Sequence, residues 1–329
     1  MVKETTGTGV AGAIEVKPTP ASTPLVDVLG GNERLEVRVH EHGFVALIDA
    51  MPRLVPAPTG DEATRGLTTA DAAIVQAARV SYGTGTKRVS EDRGLIRYLL
   101  RHRHTTPFEM VEFKFHVAMP IFVARQWIRH RTANINEYSG RYSVVPDSFY
   151  HCEPRRQSAG NMQGGEETLS RADAPMTVQK FEEYLSRAEG LYQTYEELLK
   201  DGVSRELARI ALPQSVYTQW YWKCDLHNIL RFLSLRMDSH AQREIREYAN
   251  AMFALLEPIV PVTMEAWRDY EFESVRLTRL EVEALRRAAA GLSADQRAAM
   301  TRDIEVDSEN KRERAEWQEK LARLGLAGK

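Results

Sequence analysis

The segment Glu109–Met119 restricts the fold of this 329-residue chain more than any other. Val111, Phe113, Phe115, Val117 and Met119 alternate with Glu112, Lys114 and His116. Successive strand residues point to opposite faces, so a period of two gathers five large apolar side chains on one face. That face needs a covering layer. VYTQWYWK (residues 216–223) reads as a second strand, with Tyr217, Trp220 and Trp222 expected in the core or at a subunit interface. Leu35, Val37 and Val39 alternate with Glu36 and Arg38, and Gly43 turns the chain into FVALI, which predicts a hairpin.

Helical periodicity fills the intervals. Residues 69–82 carry Ala73, Ile74, Ala77 and Ala78 on one face, and residues 91–103 also read as helix. Pro120 suits the opening of a helix over PIFVARQWIRHR, where Ile121, Ala124 and Ile128 form a candidate apolar stripe. Residues 176–201 predict a long amphipathic helix ended by Gly202, with Phe181, Tyr184, Leu185, Ala188, Leu191, Tyr192, Tyr195, Leu198 and Leu199 as its buried stripe. SRELARIAL and DLHNILRFLSL are shorter helices; Ser239 with Gln242 reads as a capping box, and so does Ser293 with Gln296. Strands in hairpins with several long helices give an α+β class, a mixed or antiparallel sheet packed against long helices.

Three regions follow. Residues 1–33, rich in Gly, Ala, Thr and Pro, read as a disordered arm; residues 34–272 form the main domain; residues 273–329 form a charged, helical and peripheral C-terminal extension. Residues 52–66 and 153–175 read as loops.

The totals exclude several classes. A net charge of −2 gives no global pull toward nucleic acid or membrane, so an anion site has to be a local concentration of arginine. No apolar run approaches the roughly 18 residues of a membrane span, and no secretory signal begins the chain. Two cysteines, Cys152 and Cys224, without a CxxC pair suit a reducing cytoplasm; both are expected to be small buried thiols. His102 and His104 form an HxH pair that would share one face of a strand, but no third and fourth ligand converge on it, so no metal is expected.

The chemistry concentrates in Arg125–Arg141, which holds arginines, His130 and one carboxylate, Glu137, interrupted by Trp127, Ile128, Ile135 and Tyr138. An arginine cluster anchored in the fold requires an anion, and the guanidinium fork matches phosphate. The alternative is structural arginines paired with carboxylates elsewhere.

RHRTANINEYSGR (Arg129–Arg141) resembles the signature of flavin-dependent thymidylate synthases, written RHRxxSxNxxSxR. Arg129, His130, Arg131, Asn136, Ser139 and Arg141 match it; Asn134 stands where the pattern usually has Ser. HTTPFE (His104–Glu109), ARQW, ARIALP with Arg209, and LRMDSHAQ with Arg236 resemble further segments of that family in the same order, so the resemblance runs from about Leu35 to Tyr270.

The resemblance implies reductive methylation of dUMP to dTMP, with FAD as cofactor and NADPH and 5,10-methylenetetrahydrofolate as co-substrates, in a cytoplasmic homotetramer with sites at subunit interfaces. It implies Arg236 as the catalytic contact to the uracil ring. Gln126, Trp127, Ile128, Arg129, Glu137, Tyr138, Ser139, Gly140, Arg141, Arg209 and Arg236 would form the dUMP shell. His104, Thr106, Arg129, His130, Arg131, Glu137, Asp225, Leu226, His227, Arg231 and His240 would contact FAD. The family often has Asn, Arg and Asn where this chain has Asp225, His227 and Arg231. No enzyme cysteine is expected to attack the uracil. Two rivals stay open: a non-enzymatic nucleotide- or RNA-binding module, against which the charge and the lack of an RNP or KH pattern argue, and a flavin- and folate-dependent uracil methyltransferase acting on RNA. The latter usually carries a Rossmann GxGxxG, which GTGVAG in the arm does not provide.

Overall fold

A computed structural model describes residues 25–56, 69–81, 92–158, 165, 167–302, 306, 308 and 310–327. The strands are β1 (Leu25–Asp27), β2 (Leu35–Val39), β3 (Gly43–Met51), β4 (Leu54–Pro56), β5 (Glu112–Pro120), β6 (Asn134–Glu137) and β7 (Tyr217–Asp225). The main sheet has the order β2-β3-β5-β7-β6 and every pairing in it is antiparallel; β1 and β4 form a separate ribbon. The helices that bear on the argument are α1 (Asp71–Val80), α2 (Asp92–Arg101), α3 (Thr106–Glu109), α4 (Ile121–Trp127), α5 (Pro175–Lys200), α6 (Arg205–Ala208), α7 (Leu226–Arg236), α8 (Arg243–Leu256), α9 (Pro261–Trp267), α10 (Arg279–Ala290), α11 (Ala294–Thr301) and α12 (Lys311–Arg323). The chain is therefore α+β, with an antiparallel sheet walled by helices.

The alternating segment forms the middle strand of the five. Phe113, Phe115, Val117 and Met119 are buried on one face, joined by Trp220, Trp222 and Cys224 of β7. Trp127, at the end of α4, stacks on Phe232 of α7 at 4.5 Å between ring centres and meets Trp220 and Trp222 edge-on at 5.8 and 5.6 Å. Aromatic side chains of this size dominate core energetics, and such contacts add about 0.5–1.5 kcal/mol beyond area burial. The β2–β3 hairpin forms at Gly43 for a steric reason: a Cβ there would lie 2.0 Å from the Tyr248 hydroxyl and 2.5 Å from the Val39 carbonyl.

Several expectations change. The buried face of α4 is Val123, Ala124 and Trp127; Ile128 is exposed and Ile121 half-buried, because the side chain that meets the core is the tryptophan. Along α5 only Val178, Tyr192 and Tyr195 are buried, while Tyr184 is 66% exposed and Leu191 is also exposed. The apolar stripe read from the sequence exists, but among the described residues its N-terminal part is only partly covered: Val178 is buried, Phe181 and Leu185 are half-buried, and Tyr184 is exposed. Ser239 and Gln242 form no capping box, since α8 starts at Arg243 with Gln242 itself as N-cap and the Gln242 amide engaged elsewhere. The Ser293–Gln296 box forms, and a Thr278–Glu281 box precedes α10.

Both termini differ from the expected division. The arm read over 1–33 falls largely on residues 1–24, outside the described residues, but Leu25–Asp27 is a strand and Leu29 is buried. In the C-terminal extension, Glu313 of α12 is 6% exposed and accepts hydrogen bonds from Arg97 Nε (3.2 Å) and Arg101 Nη1 (2.7 Å) of α2, and from the Tyr270 and Ser308 hydroxyls. Glu316 binds Arg101 through both carboxylate oxygens, at 2.6 and 3.1 Å. The last helix is thus docked on the main domain by buried charge, and is not a solvated appendage.

Candidate nucleotide and flavin site

The arginine segment crosses four local structures: the end of α4, a turn, edge strand β6 and the loop after it. β6 pairs with β7 in the register Asn134↔Lys223, Ile135↔Trp222, Asn136↔Tyr221 and Glu137↔Trp220. Sequence periodicity misses this strand, because four residues with Ile135 as the sole apolar one carry almost no periodic signal.

Arg236 is the last residue of α7. Its Nε donates to His130 Nε2 at 3.0 Å, and its Nη2 donates to the Gln126 carbonyl at 2.9 Å. Burial lowers the Arg236 pKa. Burial, with Arg236 and Arg231 adding repulsion, pushes His130 down to about 4, so the imidazole is neutral at pH 7. With Nε2 occupied as an acceptor, the ring proton is assigned to Nδ1, and His130 presents a donor on its other edge.

A second group lies in the loop after β6. Glu137 accepts from Thr218 Oγ1 at 2.8 Å, the Tyr138 hydroxyl donates to the Val144 carbonyl at 2.6 Å, and the Arg141 amide donates to Ser139 Oγ at 3.3 Å. Gly140 is buried against Arg209: a Cβ would come within 3.0 Å of Val145 Cγ2 and 3.1 Å of Arg209 Cδ. The glycine lets the arginine of ARIALP close on the signature.

A third group lines a cavity of about 370 Å³ between α2, α3, α7 and α9. Leu99, Phe108, Leu230 and Trp267 supply apolar wall, and His104, His227 and Arg231 supply polar groups. His227 and Arg231 are one turn apart on α7, so they share a face. The Arg231–His130 repulsion links this group to the Arg236 pair.

The pairing of the arginines bears on the choice between an anion site and structural ion pairs. Arg97 and Arg101 are fully engaged with carboxylates. Among the described residues, Arg129, Arg131, Arg209 and Arg231 are exposed and make no salt bridge. Arg141 alone of the set pairs with a carboxylate, Glu206 at 3.2 Å, and both side chains are 55% exposed, where such a pair contributes little. Exposed, unpaired arginines around a polar rim suit an incoming anion.

Other expected contacts are placed differently. The Trp127 and Leu226 side chains are wholly buried in the core, so these two residues can offer a ligand only backbone. Asp225 caps α7, accepting from the Asn228 amide (2.9 Å) and side chain (2.8 Å), which commits its carboxylate to the fold. Thr106, the first residue of α3, is exposed. The His240 side chain is 89% exposed, pairs with Asp238 at 2.8 Å, and is not among the residues that line the cavity. Cys224 is buried and donates to the Thr132 carbonyl, whereas Cys152 is only half-buried, a departure from the expected buried thiol. His102 and His104 follow the end of a helix and do not lie on a strand; His102 bonds Glu316 at 3.1 Å, and among the described residues no group of three His, Cys, Asp or Glu is arranged for a metal. GTGVAG falls outside the described residues. Thr218, Gln242 and Glu244 also bear on the site without having been expected there; of these only Gln242, inside the matched LRMDSHAQ segment, carries a signal in the sequence.

An antiparallel α+β domain with exposed, unpaired arginines, and with an apolar cavity edged by Arg231, carries groups that suit an anionic, ring-bearing ligand. The sequence matches the family described as "Thymidylate synthase complementing protein" over residues 65–262. It is 59% identical over 297 residues to a flavin-dependent thymidylate synthase from Dictyostelium discoideum, covering 89% of each chain. It is 49% identical over 265 residues to the enzyme of the same name from Ruegeria pomeroyi, covering 78% of this chain and 81% of that one. A crystal structure of a UMP/dUMP methylase from Streptomyces cacaoi, bound with 5-Br UMP, superposes with a TM-score of 0.57 at 33% identity, covering 71% of this chain and 97% of that one. The chain belongs to the flavin-dependent thymidylate synthase family.

Proposed function

We propose that this chain converts dUMP to dTMP as a flavin-dependent thymidylate synthase, with 5,10-methylenetetrahydrofolate as carbon donor and NADPH as reductant of bound FAD. The observation that carries the reading is Arg236 itself, its guanidinium held by neutral His130 and by the carbonyl of Gln126, with exposed, unpaired Arg129 three residues beyond Gln126. Arg209, seated against Gly140, and Arg129 would hold the phosphate of dUMP. Arg236 would stabilise negative charge on the uracil, which a fixed cation does most strongly in a site that excludes water.

The cavity between α2 and α7 fits the flavin by the chemistry of its lining. Its apolar walls suit a fused ring and its His104, His227 and Arg231 rim suits polar and anionic groups, while its size suits the ring portion and not a whole dinucleotide. Bound FAD would supply the hydride chemistry; the protein supplies position and charge. Asp225 would act by capping α7, and not by contacting the cofactor.

Exposed Tyr184 and Leu191 on α5 are consistent with assembly, and the homotetramer and a cytoplasmic location belong to this same reading. Nucleic acid and membrane have no part in it; no helix among the described residues is long and apolar enough to cross a membrane. The experiment is direct: incubate the protein with dUMP, methylenetetrahydrofolate, NADPH and FAD, then assay dTMP with each component omitted in turn. UMP and tRNA substitute for dUMP in parallel. Methylation of tRNA but not dUMP would overturn the proposal, as would colourless protein that takes up no flavin.

A further inference from the structure

From Gln126, beside Arg236, a half-buried polar chain runs through Gln242 to buried Glu244, neither of which the mechanism above uses. Glu244, second residue of α8, is 1% exposed. It accepts from the Tyr150 hydroxyl at 2.9 Å, from Arg155, and from Gln242 Nε2 at 2.8 Å. The Gln242 carbonyl oxygen in turn accepts from Gln126 Nε2. The backbone carbonyl of Gln126 holds Arg236.

This order is fixed by hydrogen-bond polarity. An ionised carboxylate only accepts, so Glu244 forces the NH2 end of Gln242 toward itself. The oxygen of Gln242 must then face Gln126, and only the NH2 end of Gln126 can meet it. What remains free on Gln126 is its oxygen. A carboxylate two residues into a helix, hydrogen-bonded by an arginine and a tyrosine, stays charged and holds this setting.

We propose that Glu244 is a positioning residue for the reaction: acting through Gln242, its charge sets the polarity of the Gln126 amide and so makes Gln126 an acceptor toward the nucleotide. The inference rests on the reading that dUMP binds beside Gln126 and Arg236. It assigns Gln126 to recognition of a donor on the ligand, such as a ring N–H or a sugar hydroxyl, and it moves part of substrate recognition onto α8, a helix with no expected ligand contact.

The test uses the flavin-loaded protein and three variants. Glu244→Gln removes the charge and frees Gln242 to turn over. Gln242→Met removes the relay while leaving Glu244 with Arg155 and Tyr150. Tyr150→Phe takes one hydrogen bond from Glu244 without touching the relay. Glu244→Gln and Gln242→Met are expected to raise KM for dUMP about tenfold, the effect of one mis-set hydrogen bond, with kcat changed less and with flavin content and flavin reduction by NADPH at the wild-type level. Tyr150→Phe is expected to leave KM for dUMP unchanged even where it lowers the melting temperature. A purely structural role would lower stability in all three and spread across every ligand. Should Glu244→Gln fail to fold, Gln242→Met carries the test. KM for dUMP within twofold of wild type in Gln242→Met overturns the proposal. Calorimetric titration of dUMP into the wild-type protein separates this from failure of the functional reading, which would show no binding there at all.

Discussion

Glu313→Gln tests how the last helix is held. Glu313 lies between Arg97 and Arg101 and is closed over by the Tyr270 and Ser308 hydroxyls. Removing one partner of a buried ion pair costs about 3–5 kcal/mol when the remaining charge is stranded. Here neither arginine is stranded: Arg97 keeps Asp269 at 2.7 Å and Glu265 at 2.9 Å, and Arg101 keeps Glu316. The cost should therefore fall to about 2–3 kcal/mol, the loss of charge-assisted hydrogen bonds alone. At roughly 2–4 °C per kcal/mol for a domain of about 200 residues, the melting temperature drops by about 4–12 °C. Scanning calorimetry reads the shift, with Glu319→Gln, an exposed position on the same helix, as control. The pH dependence has a definite sign. Burial raises the Glu313 pKa, but hydrogen bonds from Ser308, Tyr270 and Arg97 outweigh it and leave the value below the usual 4.5. A depressed folded-state pKa stabilises above the unfolded value and loses that contribution as pH falls through the folded one, so the gap between wild type and variant should close in acid. A shift no larger than the control's, or a gap that widens below pH 4.5, refutes the reasoning.

Three further outcomes are expected. Arg236→Ala should retain flavin, read by its visible absorbance, while dTMP formation falls about 10²–10³-fold, the usual cost of removing one charge-stabilising donor; near wild-type turnover would sink the role given to Arg236. Gly140→Ala should push Arg209 aside, because the new methyl meets its Cδ at 3.1 Å, and should weaken dUMP binding by roughly tenfold in calorimetric titration with the flavin signal unaltered. His130 should titrate near 4 by NMR; since its pKa is lowered from 6.5, it contributes stability above pH 6.5 that is lost as pH falls toward 4, and a midpoint at 6.5 would show that the imidazole is not held between burial and two guanidinium groups.

Strong periodicity is legible in the sequence by itself. Glu109–Met119 and VYTQWYWK form strands as their alternation predicts, and the hairpin closes at Gly43 as its position implies, because side-chain alternation is written locally; the tight approach of the Tyr248 hydroxyl to Gly43 is not. Long-range or weakly patterned features escape such a reading. Strand β6 owes its existence to pairing with β7, and its own four residues do not predict it. The α5 stripe shows where apolar residues fall but not what covers them. Gln242 obeys the spacing of a capping box, yet its amide is drawn to Gln126 and Glu244, partners far away or outside the motif. In the candidate site, the resemblance names Arg236, Arg209 and the signature as expected contacts. Only the folded arrangement reveals that Asp225 and Trp127 serve the fold and that His130 carries the guanidinium of Arg236.

The stacking of Trp127 on Phe232 gives the protein an inheritance rule. The two rings sit in the hydrophobic core, yet Trp127 lies two residues before Arg129 and Phe232 four residues before Arg236. Core shape and arginine spacing are therefore a single variable here. A substitution at either ring is expected to weaken nucleotide binding as well as stability, and a screen for weakened nucleotide binding should return Phe232 alongside the arginines. Through these two rings the core and the arginines proposed to bind the nucleotide share one scaffold.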